Sequence, residues 1–278
     1  MRKLIITLGL TLLFLLFLFS SNLVRFYTDY LWFQSLDYTE IFNTRVFTNL
    51  GVVIVSFLVT SIILLLNWSF IPYSLFPQRE LRATIRGRPV SVSTRPLRLF
   101  FTATSVAIGL FFGLAMSGQW LPYLMARYGM PFELTDPIFG KDAAFYLFKL
   151  PWYESLLFGG KILVALTFVG LVLRYGTFGQ IQERGAIAHL SLIGAKWLIL
   201  LSISRILNRF ALLQSNFGVV FGAGYTDTHA RMVIYVGEAI LFALAACVLI
   251  INSFTRKWKL LLMVGAAWIL VSLVGVFY

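Results

Sequence analysis

Seven times along this chain, about 20 residues pass with almost no charge, the length a helix needs to cross the hydrocarbon core of a bilayer. The runs are residues 4–23, 47–68, 99–120, 153–173, 186–206, 232–251 and 260–277. In lipid a backbone must satisfy its own N–H and C=O groups, so runs of this length predict helices. The expected fold class is therefore an all-α integral membrane protein, a bundle of seven transmembrane helices in one transmembrane domain over residues 1–278. The overall chemistry agrees: 59% of residues are hydrophobic and 12% charged, against about 45–50% and about 25% in soluble domains.

Charge between the runs sets the expected orientation. Arg2, Lys3, Arg79, Arg82, Arg86, Arg88, Arg95, Arg98, Arg174, Arg184, Arg256, Lys257 and Lys259 fall on one side, with only Glu80 and Glu183. Arg25, Arg45, Arg127, Lys141, Lys149, Arg205, Arg209 and Arg231 fall on the other, balanced by eight acids. Cations favour the cytoplasmic side, so the N-terminus is expected inside and Tyr278 outside. The first run, after Arg2 and Lys3, reads as an uncleaved helix, because it is long for a signal peptide and Phe19–Asn22 is a poor cleavage site. The net charge of +12 sits in short loops beside apolar runs, which points to anionic lipid and away from nucleic acid.

The outer loops are aromatic. Tyr27, Tyr30, Trp32, Phe33 and Tyr38 follow the first run, and Trp120, Tyr123, Tyr128, Trp152 and Tyr153 bracket the third loop. Such rings belong at headgroup level, on short surface helices or on a protein-binding face. Gly109 and Gly113 form a G-x-x-x-G pair, read as internal helix packing or a dimer seam. Cys247 lies in an apolar run and reads as a small packed side chain. With His189 and His229 the only histidines, no metal site or other cofactor is expected.

Three outer stretches carry a resemblance: Leu31–Tyr38, Asp136–Pro151 and Gly222–Ala230. They resemble uncharacterised protein family 0182, large bacterial membrane proteins, with Asp37 standing where that family more often has glycine. The resemblance implies seven N-terminal transmembrane helices followed by a large extracytoplasmic domain. This chain is then expected to be the membrane portion, ending where that domain begins. It implies residence in the bacterial plasma membrane, or in the thylakoid membrane of a cyanobacterium, and transfers no catalytic residue.

Several residues are candidates for chemistry. Asp136-Pro137 and Phe139–Asp142 predict a turn, with Gly140 as the bend and Asp142 capping a helix; a cation site on Asp136 and Asp142 is the rival. In the third stretch Tyr225, Asp227 and His229 are candidates, with Asp227 as a cap or as half of an Asp227–His229 acid–base or metal pair. No serine or cysteine nucleophile accompanies them, so an enzyme is the weakest expectation. Lys161, Lys196 and Glu238 lie inside apolar runs, each costing about 2.5–3.5 kcal/mol at a helix centre. Lys161 and Glu238 lie about 12 and 9 Å from the outer ends of their helices, so they are expected to pair, with Lys196 near the midplane. Two functions follow: a membrane anchor or assembly module, partnered by the bilayer and by a membrane protein or a second copy, or a transporter module with a polar pathway through the three charges.

Overall fold

The computed structural model describes residues 2–76, 80–85, 88–93, 95–215 and 222–274. Among them seven helices follow in order: α1 (Arg2–Ser35), α2 (Thr39–Leu75), α3 (Arg95–Tyr128), α4 (Phe145–Thr177), α5 (Arg184–Gln214), α6 (Asp227–Thr255) and α7 (Trp258–Val274). Five of them, α2 to α6, are long and apolar enough to cross a membrane. Between α2 and α3 the backbone forms a short antiparallel pair, β1 (Glu80–Ile85) and β2 (Arg88–Ser93), with Glu80 opposite Ser93 and Ile85 opposite Arg88. Thr84, Ile85, Val90 and Val92 are β-branched and favour that extended pairing.

The helices run past the apolar segments at both ends. The aromatic stretch after the first segment does not form a separate surface helix: it continues α1 to Ser35. Trp120–Tyr128 likewise continues α3. Nothing breaks α1 before Asp37, which takes a left-handed conformation (φ 62°). Its N–H donates to the Gln34 carbonyl, and the Tyr38 N–H reaches back to Phe33, the paired bonds of a Schellman stop. The same pair of bonds ends α4, where Gly179 holds the left-handed position and Gln180 donates to Tyr175.

Three helices carry a five-residue π-turn. Two of these, Leu66–Phe70 and Phe145–Lys149, end two residues before a proline, Pro72 and Pro151. A proline inside a helix lacks a donor and crowds the preceding turn, and the wider turn accommodates it. In α2 that turn carries three consecutive buried residues, Asn67, Trp68 and Ser69.

The chain divides into two compact units. Residues 1–51 form the first, where Phe42 is buried among Phe26, Tyr30 and Phe33 at ring separations of 5.3–5.6 Å, and Arg45 lies 4.0 Å from Asp29. Residues 52–278 form the second. Its core joins Leu64 and Trp68 of α2, Phe101 of α3, Leu163, Leu171 and Tyr175 of α4, and Leu190 and Ile193 of α5. A second cluster joins Ala195 and Leu198 of α5 to Phe242, Ala246 and Leu249 of α6. Helix α5 belongs to both clusters and is the most buried of the five long helices.

Small residues set the close approaches. A β-carbon on Gly113 would stand 2.7 Å from the Val53 carbonyl oxygen, and one on Gly109 would strike Ser61. The G-x-x-x-G pair is therefore used inside the chain, pressing α3 onto α2. Gly170 of α4 receives the Trp68 indole, whose Nε1 donates to the Thr167 carbonyl (3.1 Å). Cys247 is not packed inside: it lies on the exposed face of α6, a helix rotation that an apolar run does not reveal.

Candidate functional site

At the end of the second unit where α3 stops and α4 starts, the loop of residues 129–144 is built around two carboxylates. Asp136 Oδ1 accepts the N–H groups of Ile138 (2.9 Å) and Phe139 (2.6 Å), while Oδ2 accepts the Lys141 N–H (2.8 Å) and the Tyr146 hydroxyl (2.7 Å). Gly140 supplies the bend at φ 62°. Asp142 Oδ1 accepts from Phe132 (3.0 Å) and Ala144 (2.7 Å), and capping at Ala144 starts the helix that becomes α4. Burial pushes the Asp136 carboxyl up, but the donors, Phe139 and Tyr146 foremost, outweigh it and hold it below the ordinary value. The Phe132 and then the Ala144 N–H hold Asp142 below its ordinary value too. These oxygens are committed to the fold, so the turn accounts for both residues where a cation site was the rival. Among the described residues no group of three or more His, Cys, Asp or Glu is placed to hold a metal ion.

The loop is fastened to α5 by rings. Phe210 of α5 meets Phe139 at 4.7 Å, Phe145 at 5.1 Å and Tyr146 at 6.4 Å, and the Arg209 guanidinium stands 5.2 Å from the Phe139 ring.

Asp227 and His229 point to different tasks. Asp227 is buried; Oδ2 accepts the Gly224 N–H (3.0 Å) and Oδ1 binds Arg231 (2.9 Å), one turn on. His229 is exposed and stacks on Tyr225 with ring centroids 4.0 Å apart, its Nδ1 near Thr228 Oγ1 and the Tyr225 carbonyl. Capping and ring stacking thus engage the two residues separately, and neither contact builds an acid–base pair.

The charges inside the apolar helices pair differently from the depth arithmetic. Glu238 of α6 lies 2.8 Å from Arg205 of α5, with side-chain exposures of 14% and 29%. Lys161 of α4 donates to Ser204 Oγ (3.3 Å), the residue next to Arg205. No ion pair joins Lys161 to Glu238 within 4 Å. Arg205 was legible as a charge but counted with the outer loop; α5 runs on to Gln214, which places it inside the helix at the level of Glu238. Lys196 lies on an exposed face of α5 and makes no hydrogen bond or ion pair among the described residues.

A second polar group lies toward the other end of the same helices and was missed as a group. Its chain runs from the Tyr175 hydroxyl to His189 Nδ1 (2.8 Å), from His189 Nε2 to Asn67 Oδ1 (2.9 Å), and from Asn67 Nδ2 to the Ile63 carbonyl (2.6 Å). Asn67 can only accept at Oδ1, so Nε2 carries a proton, and in the neutral imidazole Nδ1 then accepts the Tyr175 hydroxyl proton. All three residues are buried. The available signal was Asn67 and His189 inside apolar runs. Arg174, read as a loop cation, is buried near the end of α4 and stacks 3.5 Å from the Phe178 ring centroid.

Two large cavities flank these groups. One, of about 760 Å³, lies among α4, α5, α6 and α7 with Trp197, Trp258 and Trp268 in its wall. The other, of about 820 Å³, lies between α3 and α4, with Gln119 and Glu154 at its polar margin. Neither is lined by Lys161, Lys196 or Glu238.

These features define a class: a helical protein of long apolar segments whose buried polar side chains bond to the backbone and to one another. Within it, the chain belongs to the Uncharacterised protein family (UPF0182), whose model matches residues 5–278. It is 34% identical over 242 residues to a UPF0182 protein of Salinispora arenicola, covering 82% of this chain and 24% of that one. It is 29% identical over 260 residues to a UPF0182 protein of Desulforamulus reducens (84% and 28%), and 31% identical over 264 residues to one of Mycobacterium bovis (87% and 26%). The chain thus spans less than a third of the length of these relatives. No solved structure matches it.

Proposed function

We propose that this chain is the membrane-spanning portion of a larger bacterial protein and serves as an anchor and assembly module. It would hold an extracytoplasmic domain or a partner membrane complex at the plasma membrane, or at the thylakoid membrane in a cyanobacterium. In this reading α1 and α7 join the five long helices as spans, with the N-terminus cytoplasmic and the C-terminus outside. The excess of cations beside the other ends of the helices supports that orientation. Large exposed apolar side chains, such as Phe47, Phe111 and Phe254, suit a lipid-facing surface.

The observation that carries the reading is the closure of the buried charges on their neighbours. Glu238 is neutralised by Arg205, Lys161 is held by Ser204, and both large cavities have walls elsewhere. A conducting pathway needs polar groups that face a shared water-filled space. Transport through Lys161, Lys196 and Glu238 is therefore the weaker alternative. Purification of the native protein from its own membrane, with subunit identification, is the test. A stoichiometric partner or a tightly held extracytoplasmic domain is expected. Solute or ion flux in proteoliposomes, abolished by Glu238→Gln, would overturn the anchor reading.

A further inference from the structure

Lys196 is the exception to that closure. It lies 12 residues after Arg184 and 9 before Arg205, about 18 Å and 13 Å along α5, and so close to the middle of the span between those arginines. The lysine stem cannot lift its ammonium from that depth to either headgroup layer. Yet Lys196 is exposed and has no hydrogen-bond or ion-pair partner among the described residues, on the most buried of the long helices. An ammonium left in hydrocarbon without a partner is strongly disfavoured.

The chain does not supply the missing charge. Of its eleven acidic residues, only Glu154 and Glu238 lie more than two turns inside a long helix. Glu238 is engaged by Arg205, about 13 Å of helix away from Lys196. Glu154 lies five residues past the end of the α4 π-turn, beside Lys161 in charge and far from the midplane. A second copy of these 278 residues brings the same acids at the same depths, so pairing between two such segments does not supply the charge.

The surface around Lys196 has the form of a helix seam. Leu192, Lys196, Ile199, Ile203 and Ile206 are all exposed, at steps of four, three, four and three residues. That spacing is the 3.5-residue repeat of a packed helix pair, in which one polar residue at a core position fixes register and partner. We propose that this face of α5 docks a membrane helix of a different protein, one that carries an aspartate or glutamate near its middle. The inference rests on the assembly reading and names the chemistry of its partner.

The test places a photo-reactive benzoylphenylalanine at Ile199 or Ile203 of the full-length protein in its native membrane. Phe111 of α3, 74% exposed, is the control position. Each is made with Lys196, with Lys196→Leu and with Lys196→Arg, and membrane levels are matched. The expected adduct forms at Ile199 or Ile203 but not at Phe111, and its peptide is a membrane segment of another protein containing Asp or Glu. Its yield falls about fivefold with leucine, the order of a lost intramembrane polar contact, and survives with arginine. Labelling of lipid alone, a peptide without a carboxylate, a peptide of the same polypeptide, or an adduct indifferent to Lys196→Leu would overturn the proposal. If a stoichiometric partner co-purifies while these positions label only lipid, the face is wrong and the assembly reading stands; if neither a partner nor a tightly held extracytoplasmic domain is found, both fail.

Discussion

Replacing Arg205 and Glu238 singly and together separates a structural ion pair from independent charges. At 2.8 Å and an effective dielectric of about 20, their gross attraction is about 6 kcal/mol. Desolvation of both groups offsets most of it, so the pair is worth far less in net terms than either partner costs when left alone. Removing one partner of a fully buried pair costs about 3–5 kcal/mol. The Arg205 and Glu238 side chains keep 29% and 14% exposure, which lowers the expected loss to about 2–3 kcal/mol for Arg205→Leu or Glu238→Leu. The double replacement leaves no orphaned charge and should fall within about 1 kcal/mol of the native protein. The coupling is then about 3 kcal/mol or more, read by unfolding in mild detergent with denaturant titration. Lys161→Met combined with Glu238→Leu is the internal control: Lys161 binds Ser204, so those two losses should add within about 0.5 kcal/mol. Additive losses for Arg205 with Glu238, or strong coupling of Lys161 to Glu238, would refute the assigned pairing.

Gly113→Ala should cost about 1–3 kcal/mol, because its β-carbon meets the Val53 carbonyl oxygen at 2.7 Å, whereas Gly118→Ala, with open space around it, should melt like the parent. Asp37→Gly should stabilise the protein by up to about 1 kcal/mol, seen as a raised melting temperature, since aspartate holds a left-handed conformation that glycine adopts freely. The 129–144 loop should loosen in acid. Asp136 and Asp142 both have lowered folded values, so their contribution is complete above the ordinary aspartate value of 3.8 and is lost as pH falls below it. Relative to a free peptide at the same pH, hydrogen exchange of the Ile138, Phe139 and Ala144 amides should accelerate below about pH 4 and not between pH 5 and 7. Asp136→Asn should bring that acceleration to neutral pH, and unchanged exchange there would count against the carboxylate as the organiser of the turn.

Locally encoded features could be read from the chain alone. Over the described residues the apolar runs lie in helices, because each stretch of that length must satisfy its own backbone. The turn at Asp136–Gly140 and the capping by Asp142 were legible because their donors lie within ten residues, at distances set by covalent geometry. The role of Asp227 was legible for the same reason. Depth along a helix also followed from sequence, at about 1.5 Å per residue.

Tertiary structure decided everything that depends on rotation about a helix axis and on which helix is the neighbour. One residue turns a helix by about 100°, so matching depths placed Lys161 and Glu238 at one level without making them face each other. Arg205 meets Glu238 because α5 packs on α6 and runs past its apolar segment. Asn67, Tyr175 and His189 come from three helices, and their chain of hydrogen bonds exists only after α2, α4 and α5 assemble. The Trp68 indole on Gly170 is likewise a contact between segments 102 residues apart. The sequence alone determined where the helices lie and how the 129–144 turn is built, because those bonds are local; packing alone decided which charges were neutralised and left Lys196 facing outward.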